Sequence, residues 1–215
     1  MESLHHLNII LHVLAGSIAL LTGVIALSVK KGGKYHTRVG RYFMWMIIVV
    51  IITGLVGVFV FRRNNLLLVI TLLSGYNCFS GIRVIRLRGK SPAPMDYIVP
   101  LAVMASAFYY LYYISSTGLY WAPGIIYSTI GALFLVTLYD LSKIFLSPGL
   151  LQKAYGYEHV YKMISALSGI TSAFSGTVFP QYQPYSQFLP SLMGLVYIIV
   201  IFIRFSNKRL KCTQL

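Results

Sequence analysis

HVLAGSIALLTGVIALSVKKGGKYHTRVGR, residues 12–41, decides how the rest of this chain is read. From His12 to Val29 the residues are apolar or small, with Ala15, Gly16, Ala19 and Gly23 along the run. The run stops at Lys30-Lys31-Gly32-Gly33-Lys34, and His36, Arg38 and Arg41 follow. A membrane-crossing helix closed by a basic, glycine-hinged turn is the plainest physical reading. About 20 apolar residues span the hydrocarbon of a bilayer, and lysine and arginine collect at its cytosolic edge.

Composition agrees. The chain has 215 residues, 57% of them hydrophobic and 10% charged, with a mean hydropathy of +0.74. A soluble domain carries about a quarter charged residues, so this chain cannot clothe its surface for water. The net charge of +14 comes from eighteen basic residues facing four acidic ones. They sit almost wholly between the apolar runs, whereas a nucleic-acid reader needs a basic folded face with stacking aromatics. Nucleic-acid binding is therefore excluded, and anionic lipid head groups are the expected partners of the basic loops. Cys78 lies within an apolar run and Cys212 in the tail, a spacing that predicts neither a disulfide nor a thiolate metal site. Glu2, with no basic stretch before the first apolar run, predicts no cleavable signal peptide.

The expected fold is all-α, a single transmembrane domain over residues 1–215 built as a seven-helix bundle. Windows of about 20 residues place helices at roughly 7–29, 41–61, 65–86, 96–115, 121–143, 158–179 and 187–205. With the N-terminus outside, the inner loops collect Lys30, Lys31, Lys34, Arg38 and Arg41, then Arg83, Arg86, Arg88 and Lys90. Lys143, Lys153 and Lys162 follow, then Arg204, Lys208, Arg209 and Lys211, and only Arg62 and Arg63 remain outside. So lopsided a division predicts N-out, C-in. Asn64-Asn65 marks the turn between spans two and three, and Ser91-Pro92-Ala93-Pro94 breaks the chain before span four. Asp96 is placed to cap span four, and Pro123 sits in the first turn of span five. The small residues of spans one and six, among them Gly16, Gly23, Ser165, Gly169, Ser172 and Gly176, predict that these two helices are central. Tyr109, Tyr110, Tyr112 and Tyr113 read as a peripheral aromatic belt at the outer end of span four. His12-Val13 with Ala19-Leu20 recurs as His159-Val160 with Ala166-Leu167 at the same spacing. That is the signature of an inverted repeat of the transporter sort, and chance similarity between apolar helices produces it too.

Ionisable groups in hydrocarbon are costly, so those within or at the edges of spans are the candidates for function. His12 lies about 7 Å below the expected outer boundary, at about 1.5 Å of rise per residue. Asp140, Glu158, His159 and Lys162 gather at the inner boundary beside the turn that carries His36. Together they could line one cavity, with His36, Asp140 and His159 as candidate metal ligands. Each has an ordinary structural role as well. Glu158 and Lys162 have the spacing of a helical ion pair, Asp140 and Lys143 that of a neutralised helix end, and either His12 or His36 can hold a carbonyl. Asn77, flanked by Ser74, Gly75, Ser80 and Gly81 in span three, is either helix glue or a cavity wall.

The ordered set His12, Gly16, Gly23, Lys31-Gly32-Gly33, His36 and Gly40-Arg41 resembles a widespread family of bacterial polytopic inner-membrane proteins described only as a domain of unknown function. The resemblance continues through Pro94, Asp96 and Tyr97, through Gly131 and Asp140-Leu141, and through His159-x-x-Lys162-Met163. It then covers Thr171-Ser172-Ala173-Phe174 and Leu189-Pro190 with Gly194. Where that family pattern has arginine in the His-x-x-Arg-Met motif, this chain has Lys162, which keeps the charge and loses the planar fork. The resemblance implies a multi-pass protein of the bacterial inner membrane and assigns no reaction.

Three functions follow as expectations. The first is binding or transport of a proton, metal ion or small polar solute in an inner-face cavity built by His36, Asp140, His159 and Asn77. The second is a non-catalytic subunit or scaffold, as a homo-oligomer or within a membrane-protein complex. The third is a haem b redox subunit, with His36 and His159 or a His–Met pair using Met163 as the ligands. No serine or cysteine nucleophile motif stands beside a base, which argues against a hydrolase. The orientation is directly testable. A cysteine placed at Gly33 in a chain freed of Cys78 and Cys212 should react with an impermeant maleimide only from the cytosolic side; labelling from outside would reverse the topology.

Overall fold

The computed structural model describes residues 2–61, 65–117 and 123–213, with side chains over 2–61, 68–116 and 123–207. Arg62, Arg63 and Asn64 of the expected outer turn, and the first two residues of the expected fifth span, lie outside the described residues. So do the side chains of Asn65, Lys208, Arg209, Lys211 and Cys212. The described residues form seven α-helices and no strand: α1 (Glu2–Ser28), α2 (Lys34–Phe59), α3 (Asn65–Leu87), α4 (Met95–Thr117), α5 (Pro123–Ser142), α6 (Pro148–Val178) and α7 (Tyr185–Thr213). Six of them, all but α6, are long and apolar enough to cross a bilayer.

Several helices start earlier than apolar content alone indicates, because a helix begins at its cap and not at its first hydrophobic residue. α6 starts at Pro148, ten residues ahead of the expected position. The Ser147 hydroxyl accepts the Leu150 N–H at 3.4 Å and proline occupies the first helical position, where its missing N–H costs nothing. α2 starts at Lys34, so His36, Arg38 and Arg41 lie on its first two turns and the hinge shrinks to 29–33. Gly32 supplies the left-handed residue of that hinge at φ 74°. The last carbonyls of α1, which have no helical partner, are taken by Lys31 Nζ (Ala26 O at 3.2 Å, and Leu27 O) and by His36 Nδ1 (Ala26 O at 3.0 Å). Asp96 does not cap α4 in the expected way. Its carboxylate accepts the N–H of Ala93, ahead of the helix, at 2.8 Å and turns back to grip Arg83 on α3.

The helices alternate in direction. The α1–α2 hinge, the α3–α4 connection and the α5–α6 connection therefore share one end of the bundle, which the Arg83–Asp96 pair and a His159–Gly81 bond tie together. α3 and α6 form the centre. α3 packs on α2, α4, α5 and α6, and α6 packs on α1, α3 and α7. This corrects the expectation that α1 is central: 56% of α3's most apolar stretch is buried, against 17% of that of α1. The small residues of α1 are used on one side only. Ala15, Ala19 and Gly23 press against α2 and α6, with room at Gly23 so tight that a Cβ would fall 2.6 Å from Leu167 Cδ1. The other side of α1 is a bare stripe of Leu14, Leu21 and Val24, matched on α7 by Leu192, Met193 and Val196, all more than half exposed. Such stripes suit lipid and not water. On α4, Tyr109 and Tyr112 are likewise exposed, but Tyr110 is core, packed with Val69, Ile70 and Ile126.

Where α1, α2, α3 and α6 meet, the core consists of Ala19, Phe43, Ile47, Cys78, Ala166 and Leu167. The recurring segments of α1 and α6 run in opposite directions, and their matched alanines, Ala19 and Ala166, meet in this cluster. At the bundle's polar end α3 leaves its helix through Gly89, at φ 83°, where a Cβ would fall 2.5 Å from Gln152 Cα of α6. Gly131 on α5 has nothing within 4 Å of a Cβ. Gly89→Ala should therefore cost about 1–3 kcal/mol of strain, whereas Gly131→Ala should be neutral or stabilise by up to about 1 kcal/mol. Thermal unfolding of the two variants in the same detergent checks the pair.

Candidate functional site

Four charged side chains converge between α5 and α6 at the hinge end of the bundle. Asp140 and Lys143 are three apart across the end of α5, and Glu158 and Lys162 are four apart on α6, so each pair shares a helix face. The pairs interlock from one helix to the other. Lys162 Nζ lies 2.5 Å from Asp140 Oδ1 and 3.6 Å from Glu158 Oε2. Lys143 Nζ lies 2.7 Å from the same Asp140 oxygen and also pairs with Glu158 Oε2. Two tyrosines close the set: Tyr76 of α3 donates its hydroxyl to Asp140 Oδ2 at 2.6 Å, and Tyr139 donates to Glu158 Oε1 at 2.8 Å. The Tyr139 ring also faces the Lys143 ammonium at 5.1 Å. Lys162 is 0% exposed and the other three charged residues are below 10%.

Two cations and two anions sum to zero, which is why the group survives burial. A lone ion in such surroundings is prohibitive, while a paired and hydrogen-bonded set is tolerated. A small cleft of about 30 Å³ opens beside it, and Tyr76, Ser80, Asp140, Lys143 and Lys162 line its wall. Arg83 and Asp96 stand on the same cleft in a two-pronged pair of 2.8 and 2.7 Å. The ammonium groups of the cluster thus sit between the helix core and this cleft.

The structure brings Asp140, Glu158 and Lys162 together, and separates the remaining candidates from them. His159 Nδ1 lies 2.9 Å from the Gly81 carbonyl and His36 Nδ1 3.0 Å from the Ala26 carbonyl. A carbonyl only accepts, so both rings carry the proton on Nδ1 when neutral. The two rings meet edge to face with centroids 6.5 Å apart, bonded away from the ion cluster. Asp140 is engaged by Lys143, Lys162 and Tyr76, and among the described residues no three His, Cys, Asp or Glu side chains converge as a metal site. That corrects the grouping of His36, Asp140 and His159 as metal ligands. His12 belongs to the other end of the bundle, where its Nδ1 lies 2.9 Å from Thr53 Oγ1. The Thr53 hydroxyl is committed to the Val49 carbonyl at 2.7 Å, so His12 donates and fastens α1 to α2. Asn77 is 1% exposed, donates to the Leu73 carbonyl of its own helix at 3.0 Å, and does not line the cleft.

Lys143, Tyr76, Tyr139, Arg83 and Asp96 escaped the list of candidates read from the sequence. Lys143 carried a signal, its spacing from Asp140. The tyrosines carried none, because two of seventeen become distinguished only when α3 and α5 are placed beside α6. Comparisons with protein-family models, with curated proteins and with solved structures give no match to the chain.

Interlocked pairs make the energetics non-additive. Lys162→Met leaves Asp140 and Glu158 facing a single cation and should cost about 3–5 kcal/mol. Adding Asp140→Asn restores neutrality and should recover a large part of that loss, a coupling measurable as a double-mutant cycle by unfolding in detergent.

Proposed function

We propose that this chain is an integral membrane protein of seven spans, N-out and C-in, whose Asp140–Lys143–Glu158–Lys162 cluster binds and hands on a proton at the cytosolic face. The observation that carries this reading is Lys162, an ammonium with no exposure, clamped by carboxylates and opening through its partners onto a cleft. Bury such a group without a role and an apolar residue of the same volume serves stability as well or better. Ionisable side chains at this depth are characteristic of proton and ion pathways.

Several considerations support the details. By sequence, sixteen of the eighteen basic residues belong to the expected inner loops, which is the arrangement cytosolic loops adopt. α6, too polar to qualify as a span alone, is packed by α1, α3 and α7 and needs little lipid contact. The motif resemblance supports a bacterial inner membrane. A proton is favoured over a metal ion because both carboxylates already hold ammonium groups, two of those contacts at 2.5 and 2.7 Å. Binding a metal would strand the lysines; moving a proton rearranges the hydrogen bonds and displaces nothing. The four groups are joined by shared ion pairs, so the exchange belongs to the cluster and not to one residue.

The test is a pH jump on purified protein in nanodiscs, reading protons released into a weakly buffered solution with an indicator dye. Wild type should release or take up about one proton per chain between about pH 6 and 10 beyond what its exposed groups account for. The Asp140→Asn, Lys162→Met variant, neutral at both positions, should lose that increment. Identical curves for the two proteins would refute a proton-exchanging cluster.

A further inference from the structure

The α3–α6 interface continues from the ion cluster toward the opposite end of the bundle, and it is polar where a core is expected to be greasy. On α3, Ser74, Asn77 and Ser80 stand three apart and are 2%, 1% and 6% exposed. Ser80 lines the cleft with Lys162. Gly81 abuts Lys162 and Ser74 abuts Gly169, where an added Cβ would fall 2.2 Å from the Ser74 hydroxyl. That antiparallel register sets Asn77 level with Ala166. On α6 the face runs on through Ser172, bonded to Ser191 of α7 at 3.0 Å, to Gly176, which packs on Gln187. From Lys162 to Gly176 the rise is about 21 Å, most of a hydrocarbon core about 30 Å thick.

Four oxygens along this line have no partner within the protein: Ser80 Oγ, Asn77 Oδ1, Ser74 Oγ and Gln187 Oε1. Their isolation is not the habit of this bundle. Thr53, Ser106, Thr137 and Thr171 all donate to the carbonyl four residues earlier, as helical hydroxyls readily do. Ser74 and Ser80 do not. A polar atom buried without a partner is strongly unfavourable, and water is the smallest group that satisfies it.

We propose that internal water fills this seam and that the seam conducts protons between the ion cluster and the opposite face. The proposal rests on the reading of the cluster as a proton site. In each passage an N–H bond of the Lys162 ammonium breaks as an O–H bond forms on the nearest seam water. The amine is reprotonated from the cleft. The excess proton moves on by one O–H bond breaking as the next forms, and nothing is oxidised or reduced.

The experiment uses the full chain in liposomes holding an entrapped pH dye, with a potassium diffusion potential set by valinomycin. Wild type should carry protons faster than protein-free vesicles. Asn77→Leu, which keeps the volume and removes the oxygen, should cut that flux at least tenfold, and Ser74→Ala should cut it severalfold. Ser74→Ala removes one oxygen and adds no bulk against Gly169, so poor insertion of the first variant does not decide the matter, and its proton release on a pH jump should equal that of wild type. Flux equal to empty vesicles, or unchanged in both variants, overturns the seam. If wild type still releases its proton on the jump, only the seam falls; if it does not, the cluster reading falls with it.

Discussion

An ammonium group removed from water must be answered by negative charge, and in this chain the answer to Lys162 organises the bundle. Its carboxylate neighbours come from two helices and its hydrogen-bonded surroundings from three. α3, α5 and α6 therefore cannot slide or rotate relative to one another without breaking ion pairs or hydrogen bonds of the cluster. Apolar packing holds the rest of the bundle with far less discrimination, since one aliphatic contact in lipid is much like another. The ionic cluster supplies register; the Ile, Leu and Val stripes supply area.

The same constraint explains the placing of the small residues. α6 is the one described α-helix without a stretch apolar enough to span alone, and with α3 it is packed among the others. Gly169 and Gly176 let α3 and α7 close upon it at points where a methyl group would collide, and Gly81 of α3 lets Lys162 of α6 come close. α1 uses Gly23 in the same manner on one side only, which leaves it at the edge. Close approach and centrality are separate properties, and glycine reports only the first.

Much of the architecture was legible in the residue order. The apolar runs gave the helices, and Asp140, Glu158 and Lys162 stood out as charges in costly positions. Helix starts were misplaced by up to ten residues because Ser147-Pro148, a cap, lies outside the hydrophobic window. The partners Tyr76 and Tyr139 were invisible because their meaning depends on which helices touch. His159 looked like a member of the cluster from its place beside Glu158, yet adjacent residues on a helix point about 100° apart, and it turns to the Gly81 carbonyl instead. Asn77 left two roles open; its amide donates within its own helix, to the Leu73 carbonyl, and its side-chain oxygen finds no partner in the protein.

The most direct trial of the cluster is the state of Lys162 itself. Solid-state NMR of protein labelled with 15N-lysine in bilayers, with Lys162→Met for assignment, isolates its ε-nitrogen from those of the exposed lysines. The expected result is an ammonium resonance set apart from the others that converts reversibly to the amine as the pH is raised, while the fold is retained. A resonance that coincides with those of solvent-exposed lysines, or that never changes state until the protein unfolds, would contradict a buried, proton-exchanging lysine.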